Sequence, residues 1–287
     1  MSLLLRSARA AAGLLPDWAK AALYRTPGLS AAVRWLLTRA APDEPVVVEV
    51  AGGLARGLRL RVDLKREKYF WLGTHEMPVQ RALQREVRPA MTVYDVGAHL
   101  GFFTLAVARL VGPQGRVLAF EPLPANVLLL RENLAMNPAV AANVQVIEAA
   151  VARESGRTRL FAAASSTMAR ITTPTAGHVG THEVETLTLD ELVFARRAPP
   201  PQVVKMDIEG AEGLALAGAR RLLREARPLL LVEVHGAEAA RAVWEELRQA
   251  DYRVFTLERD REFQDPGEFA KAYILALPRA RLGPAPG

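Results

Sequence analysis

One segment of the chain collects charged residues where a buried β-strand is predicted to end. It reads Val204-Lys205-Met206-Asp207-Ile208-Glu209-Gly210-Ala211-Glu212. Buried charge without a partner is costly, so a purely structural sequence has little reason to place three acids and a lysine here. Open α/β sheets bind ligands at this carboxyl edge. The segment therefore indicates a ligand site, although Glu209 and Glu212 would also favour a helix N-terminus through the helix dipole.

A glutamate and a histidine follow the next apolar run, Leu230-Leu231-Val232-Glu233-Val234-His235-Gly236. Residues two apart on a strand point to the same face, so Glu233 and His235 would lie near Asp207 if the two strands are neighbours. Histidine has a pKa suited to taking a proton from a hydroxyl at neutral pH. A histidine at a strand end more often only makes hydrogen bonds. In these acidic surroundings, however, a role as a catalytic base is weighed equally with that structural role.

A glycine-containing turn lies upstream, in Asp95-Val96-Gly97-Ala98-His99-Leu100-Gly101. Here a predicted buried strand ends in a turn that opens a helix, so the backbone could approach a ligand closely. Asp95 at the strand end could receive the ammonium group of a ligand. The G-x-G-x-x-G spacing of dinucleotide sites is absent, which counts against NAD or FAD.

An acidic residue, Glu121, stands at the end of the next predicted strand, roughly twenty residues after the end of the strand that contains Asp95. It is followed by Pro122. A carboxylate in this position can accept both ribose hydroxyls of an adenosine ligand. Taken alone, Glu121 could equally be a solvated loop acid. Together with the upstream turn, it favours ribose binding. Asn126 suits a helix cap or turn, and Glu148 lies where an adenine edge would be.

A parallel sheet would bring these segments together. From Thr92 onward, short β-branched runs alternate with helical patterns, which is typical of a parallel sheet with helices on both faces. The predicted strands are Thr92–Val96, Arg116–Phe120, Val144–Glu148, Val203–Asp207, Leu229–Val234, Tyr252–Leu257 and Ala272–Leu277. The predicted helices are Phe102–Val111, Ala125–Met136, Ala211–Glu225 and Ala237–Gln249.

The flanking segments are predicted to add to this sheet. Apolar residues at helical spacing in residues 1–41 predict helices that pack on the domain or on a second subunit, and a peripheral membrane contact is an open alternative. Val46–Val50 and Leu58–Val62 predict a β-hairpin. Gly156–Leu189 interrupts this alternation and predicts an insertion beside the sheet edge. Within it the sequence predicts two short strands, at Thr158–Phe161 and Val184–Leu189, and a polar loop through Ser165–Met168. The predicted organisation is an N-terminal helical and β-hairpin extension at 1–64, a main domain at 65–278 and a flexible tail at 279–287.

Composition excludes several classes of protein. The 287 residues are 50% hydrophobic and 24% charged, which is typical of a globular protein. Without cysteine there is no disulfide, thiolate metal site or cysteine nucleophile. The formal net charge of +6 would suit an acidic partner, but the arginines are spread along the chain rather than clustered, so no specific nucleic-acid partner is expected.

Together these segments resemble the FkbM family of S-adenosylmethionine-dependent methyltransferases, from about Lys65 to Leu277. The motifs that carry the resemblance are Gly73-Thr74-His75-Glu76, Asp95-Val96-Gly97-Ala98 with Gly101 and Thr104, Phe120-Glu121-Pro122 with Asn126, Lys205–Glu212, and Glu233 with His235. His99 stands where the family usually has Asn. The resemblance implies an α/β fold with a seven-stranded, Rossmann-like class I methyltransferase sheet whose last strand is antiparallel.

The resemblance also implies roles for individual residues. The implied residues that bind S-adenosyl-L-methionine are Glu76, Asp95, Gly97, Ala98, Gly101, Thr104, Glu121 and Pro122. Of these, the residues from Asp95 to Gly101 would surround the methionine part and Glu121 would hold the ribose. Lys205, Asp207 and Glu209 would line the methyl-transfer site.

Methyl transfer is an in-line displacement, so the enzyme mainly aligns the acceptor oxygen and removes its proton. The predicted catalytic residues are Lys205, Asp207 and His235, with His235 or Asp207 as the base. No metal ligand is assigned, although hard oxygen ligands of this kind would also suit Mg²⁺.

The expected activity is O-methylation of a sugar, polyketide or related small molecule by a cytoplasmic enzyme. RNA or protein methylation is the alternative that the excess of basic over acidic residues leaves open. A nicotinamide dehydrogenase is disfavoured by the glycine spacing. A non-catalytic, membrane-attached or scaffolding protein is left open by the N-terminal helices and by His99, and a homodimer would be compatible with an apolar face on those helices.

Overall fold

The computed structural model describes residues 38–39, 41–163, 169–170 and 178–282. Most of the predicted N-terminal helical segment and the polar loop at Ser165–Met168 lie outside the described residues. The contacts of the N-terminal helices with a membrane or a second subunit therefore stay predictions, as does the domain boundary at residue 65. Within the described part of the chain, no helix combines the length and apolar character needed to cross a bilayer.

Thirteen strands and eight α-helices are numbered along the described chain. The strands are β1 (Val46–Glu49), β2 (Arg59–Val62), β3 (Thr92–Val96), β4 (Arg116–Phe120), β5 (Val144–Ile147), β6 (Ala150–Val151), β7 (Gly156–Ala163), β8 (Ala169–Arg170), β9 (His178–Leu187), β10 (Val203–Met206), β11 (Leu229–Glu233), β12 (Tyr252–Phe255) and β13 (Tyr273–Pro278). The helices are α1 (Lys68–Leu72), α2 (Met77–Glu86), α3 (Phe102–Val111), α4 (Pro124–Ala135), α5 (Pro138–Ala141), α6 (Glu212–Ala217), α7 (Arg220–Glu225) and α8 (Ala237–Gln249). A π-helical turn at Glu191–Ala195 and 3₁₀ turns at Pro266–Phe269 and Arg279–Arg281 complete the set.

The central sheet has seven strands in the order β12-β13-β11-β10-β3-β4-β5. Strand β13 runs antiparallel to both of its neighbours, and the other neighbouring pairs are parallel. The predicted Rossmann-like sheet with an antiparallel last strand is thus confirmed. The chain order reverses at β3, which has β4 on one side and β10 on the other, and ligands bind α/β sheets at such a switch point.

Helices cover both faces of this sheet, as predicted. Alternate strand residues belong to two hydrophobic clusters because successive side chains point to opposite faces. Val93 and Val203 pack with α3, α2 and the β1–β2 hairpin, whereas Tyr94 and Val204 pack with α7 and α8. The predicted hairpin is therefore part of one core layer.

The insertion after β5 forms a sheet of its own. Strands β7 and β9 pair antiparallel, and with β6 and β8 they make a four-stranded sheet in the order β6-β9-β7-β8. The sequence pattern predicted only two short strands in this region. Their partners, β6 and β8, have two residues each, which is too short for a periodic signal.

The prediction of a single helix at Ala211–Glu225 is wrong, because the structure has two helices there, α6 and α7. A Cβ atom on Gly218 would lie 2.1 Å from the backbone oxygen of Ala152, so the chain approaches β6 too closely for a side chain. The carboxylate of Asp190 accepts the backbone N–H groups of Arg221 and Leu222 at the start of α7. The close approach of Gly218 to Ala152 and the hydrogen bonds to Asp190 join residues far apart in the chain, so they cannot be predicted from helical periodicity. Helices α1, α2 and α5 were not predicted.

Candidate active site

A cavity of about 320 Å³ opens at the carboxyl ends of β3, β4, β10 and β11. Eight of the residues predicted as site residues line it, namely Glu76, Gly97, Ala98, Glu121, Pro122, Lys205, Asp207 and His235. Glu209, Glu233, Asn126 and His99 line it as well. The sheet thus gathers segments that are more than one hundred residues apart in the chain.

Three predicted cofactor-binding residues, Asp95, Gly101 and Thr104, do not line the cavity. Asp95 is 1% exposed and accepts a 2.6 Å hydrogen bond from the hydroxyl of Thr104 on α3. Gly101 faces α4, because a Cβ there would lie 2.5 Å from Leu130 Cδ1. These residues shape the floor and wall of the cavity from behind.

Lys205 connects this buried layer to the cavity. The register of β10 against β3 pairs it with Asp95, whose Oδ1 lies 3.3 Å from Lys205 Nζ. The ammonium group also donates to the carbonyl oxygen of Gly97 at 3.1 Å and lies 3.9 Å from Asp207 Oδ2. Burial opposes the charge, but Asp95, Asp207 and Glu76 outweigh it and raise the pKa of Lys205 above its ordinary value. Lys205 therefore stays protonated and cannot serve as a base.

Gly97 lets the turn after β3 pass against the end of β10. Its φ is +84°, in the left-handed region, and a Cβ would lie 1.9 Å from the carbonyl oxygen of Asp207. An L side chain is disfavoured by both the backbone conformation and the space. The glycine therefore determines how closely Ala98 and Asp207 approach across the cavity.

Glu121 is held rigidly at the end of β4. Its Oε2 accepts the backbone N–H of His99 at 2.8 Å, and its Oε1 accepts the N–H of Leu123 at 3.0 Å and Asn126 Nδ2 at 3.2 Å. Burial raises the pKa of this carboxyl, and the donors counteract part of that rise. Because a carboxylate has about four lone-pair positions, it keeps acceptor capacity on its cavity side.

His235 stands at the centre of the acidic cluster. Its Nδ1 lies 2.8 Å from Glu212 Oε1, and its Nε2 lies 3.7 to 3.9 Å from oxygens of Asp207, Glu209 and Glu233. Burial opposes the imidazolium, but the hydrogen bond to Glu212 and the charges of Glu212, Glu209 and Glu233 raise the pKa of His235 to about 9. The predicted meeting of Asp207, Glu233 and His235 is borne out by these distances.

Tyr273 was missed by the sequence analysis. It stands opposite Glu233 in the register of β13 against β11, and its hydroxyl donates to Glu233 Oε2. Burial and the charge of Asp207 raise the pKa of Glu233 to about 7. The only sequence feature that could have indicated Tyr273 is its position at the start of the last strand. That it meets Glu233 depends on the antiparallel register of β13 against β11, which the sequence pattern does not give.

The aromatic rings of Tyr69, Phe70 and Phe103 also line the cavity and were not predicted as site residues. His75 stacks on Tyr69 with ring centroids 5.1 Å apart and contacts Phe70 and Phe103 at 4.5 and 5.4 Å. Burial and the nearby Lys205 lower the pKa of His75 to about 3, so this ring is neutral. Burial likewise lowers the pKa of His99 to about 4. The two histidines form an uncharged wall opposite the acidic cluster.

Glu76 lies between this aromatic wall and the cluster. Its φ is +44°, and its Oε1 lies 3.2 Å from His75 Nε2. Its Oε2 is buried and has no hydrogen-bond partner among the described residues. Burial raises the pKa of Glu76, although the charge of Lys205 counteracts part of the rise. The cavity thus presents a buried acceptor atom that a ligand with N–H groups would satisfy.

Comparison with known proteins matches the sequence of this chain to a methyltransferase family. The model of the methyltransferase FkbM domain matches residues 95–254, which is more than half of the chain. The hexuronic acid methyltransferase AglP of Haloferax volcanii is 27% identical over 80% of this chain and 92% of its own length. The 31-O-demethyl-FK506 methyltransferase FkbM of Streptomyces tacrolimicus is 29% identical over 54% of this chain and 69% of its own.

Among solved structures, the methyltransferase FkbM of Methylobacillus flagellatus is similar at 19% identity with a TM-score of 0.43, over 76% of this chain and 56% of that one. The family match spans the turn after β3, the acid after β4, the charged segment after β10 and the Glu233–His235 pair. On that match, the chain belongs to the FkbM methyltransferase family and is an S-adenosylmethionine-dependent methyltransferase.

Proposed function

We propose that this enzyme transfers the methyl group of S-adenosylmethionine to a hydroxyl of a small molecule or sugar. The observation that carries the proposal is His235, whose Nε2 faces the cavity while its Nδ1 is held by a buried carboxylate. A hydroxyl must lose its proton during methyl transfer, and a positioned imidazole is the usual group to take it. A carboxylate acceptor would need no such base.

The cofactor-binding roles rest on atoms that still have acceptor capacity. We assign the ribose to Glu121, which accepts three hydrogen bonds and so keeps about one of its roughly four acceptor positions for a ribose hydroxyl. We assign the ammonium of the methionine part to Glu76, because its buried Oε2 is an acceptor with no hydrogen-bond partner among the described residues. Gly97 and Ala98 would supply the close backbone wall. Asp95 and Thr104 would act indirectly, by holding Lys205.

The electrostatics of the cavity favour the same cofactor. Asp207, Glu209 and Glu233 face a site in which Lys205 and His235 are the cationic side chains among the described lining residues. S-adenosylmethionine carries the methyl group on a positively charged sulfonium sulfur, and an acidic site attracts such a cation. A cation bound nearby would also lower the pKa of His235 from about 9 and so favour its neutral, basic form.

We assign the base to His235 rather than to Asp207. Asp207 lies 3.9 Å from both Lys205 Nζ and His235 Nε2, so it is well placed to stabilise two cations. Lys205 remains protonated and would hold the carbonyl of Gly97 and the carboxylates in position. The imidazole is then the group that receives the proton of the acceptor.

The identity of the acceptor is proposed at the level of chemical class. One relative is named for a hexuronic acid and another for 31-O-demethyl-FK506, which supports a sugar or other small molecule for this chain. The net charge of +6 is compatible with an RNA acceptor, but the charged side chains in the described lining of the cavity are mainly carboxylates. A phosphate-bearing acceptor would meet like charge there, which disfavours it.

A bound divalent cation is a second candidate at the same site. Asp207, Glu233 and His235 each offer a ligand atom, and these atoms lie within 4.8 Å of one another. Oxygen-rich sets of this kind suit Mg²⁺. Overnight dialysis against EDTA distinguishes the two proposals. If His235 acts as the base without a metal, the rate of methyl transfer should not change, whereas a loss of activity that Mg²⁺ restores would favour the metal.

The proposed function is tested by combining cofactor titration with an acceptor screen. Calorimetry with S-adenosylmethionine and S-adenosylhomocysteine should show binding that Glu121→Ala weakens. Transfer of labelled methyl to a panel of sugars and polyols should be greatly reduced in His235→Ala, with cofactor binding retained. Undiminished transfer in His235→Ala would overturn the base assignment, and absence of cofactor binding by the wild type would overturn the function itself.

A further inference from the structure

Glu212 is a buried acid whose contacts exceed those of a helix-capping residue. It is fully buried at the first position of α6. Its Oε1 accepts the backbone N–H of Gly210 at 2.9 Å and lies 2.8 Å from His235 Nδ1. Its Oε2 is buried without a hydrogen-bond partner among the described residues. A carboxylate buried in this way costs stability, so the arrangement calls for a reason other than folding.

The contact between Glu212 and His235 decides which ring nitrogen carries the proton. A carboxylate oxygen accepts, so Nδ1 is the donor and keeps its hydrogen in the neutral ring. The lone pair of neutral His235 is then on Nε2, which points into the cavity. We propose that Glu212 is the positioning residue of this enzyme, which holds His235 with its Nε2 lone pair directed at the acceptor hydroxyl.

The backbone after β10 is shaped to make this contact. Glu209 has a φ of +55° and Gly210 a φ of +101°, so the chain turns sharply between the strand and α6. This turn brings the N–H of Gly210 onto the same oxygen that meets the imidazole. Two donors therefore converge on Oε1, and the side chain has one well-defined orientation.

The surroundings of the other nitrogen leave room for an acceptor. Nε2 is faced by Asp207 Oδ1 at 3.9 Å, Glu209 Oε2 at 3.7 Å and Glu233 Oε1 at 3.7 Å. All three distances exceed a hydrogen bond, whereas Nδ1 is within bonding distance of Glu212. Of the two nitrogens, Nε2 is thus the one that a substrate hydroxyl can reach.

This inference rests on the proposed function for its catalytic meaning, but its physical content is measurable without a substrate. Nitrogen-15 NMR of the histidine rings in the full-length protein reports both the tautomer and the pKa of His235, assigned by comparison with His235→Gln. Glu212→Gln keeps the shape and removes the charge, and Glu212→Ala removes the contact. Glu246→Gln is a matched control, because Glu246 is also a buried acid but pairs with Arg220 at 2.7 Å.

We expect the neutral ring of the wild type to carry its proton on Nδ1. In Glu212→Gln the pKa of His235 should fall from about 9 toward its ordinary value of 6.5, and Glu212→Ala should also show a mixture of tautomers. Once an acceptor is known, Glu212→Ala should lower kcat about 100-fold, which is the size of a general-base contribution. The KM for S-adenosylmethionine should change little, and Glu246→Gln should behave as the wild type.

Two results would overturn the inference. One is a wild-type ring that carries its neutral proton on Nε2, which requires no variant and so does not depend on whether the variants fold. The other is an unchanged tautomer and pKa in both Glu212 variants. If the NMR results agree but no acceptor is methylated, the proposed function fails while the Glu212–His235 pairing stands.

Discussion

Removal of the buried Lys205 ammonium should destabilise the whole protein, and the structure indicates by how much. Lys205 is 3% exposed and Asp95 is 1% exposed, with Nζ and Oδ1 separated by 3.3 Å. Lys205→Met keeps most of the side-chain length and removes the charge. Among the described residues, it leaves the buried Asp95 carboxylate with the Thr104 hydroxyl as its close side-chain partner.

Breaking a buried ion pair by removing one partner costs about 3–5 kcal/mol, because the remaining charge is uncompensated. That is a large part of the ~5–15 kcal/mol by which a domain is stable. Asp95→Asn combined with Lys205→Met removes both charges and keeps an acceptor for Thr104. The double variant should therefore recover at least about 2 kcal/mol relative to Lys205→Met alone.

Urea unfolding followed by far-UV circular dichroism measures these free energies, with all four proteins of the cycle at one pH. Methionine and asparagine are close in volume to the lysine and the aspartate that they replace, so cavity formation contributes little. The reasoning would be refuted if Lys205→Met lost less than about 1 kcal/mol, or if the two substitutions were simply additive. Either result would mean that the pair is solvated or replaced in solution.

Three further outcomes are expected. Glu121→Gln should weaken S-adenosylhomocysteine binding about 10-fold or more in calorimetry, because hydrogen bonds to a charged group contribute about 1.5–3 kcal/mol; unchanged affinity would remove the ribose assignment. The kcat/KM for S-adenosylmethionine should rise with pH through about 9, since only neutral His235 can accept a proton; a plateau already reached by about pH 7.5 would contradict this. Gly97→Ala should lower the thermal midpoint more than Gly57→Ala, because the two φ values are +84° and +83° but only Gly97 lacks space for a Cβ; equal losses would show that the contact with Asp207 relaxes.

Much of the site was predictable because parallel strands end at one edge of a sheet. The residues at the ends of β3, β4, β10 and β11 had to meet there once the strands were recognised, and short apolar, β-branched runs between helical patterns identified those strands. Seven of the eight predicted residues that line the cavity lie at or just after these strand ends, and Glu76 lies directly before α2. The contacts of Asp95 were not predictable, because its position at a strand end does not say whether the side chain faces a ligand or a lysine on the next strand.

The sequence by itself determined the α/β class, the order of the strands in the chain and the chemical types gathered at their ends. These depend on local patterns of side chains, which each segment carries within itself. Only the tertiary structure decided which atoms meet: the break between α6 and α7 at Gly218, the placement of Tyr273 opposite Glu233 and the contact of Glu212 with His235. Each depends on register and on turn geometry, where a shift of one residue moves a side chain to the opposite face.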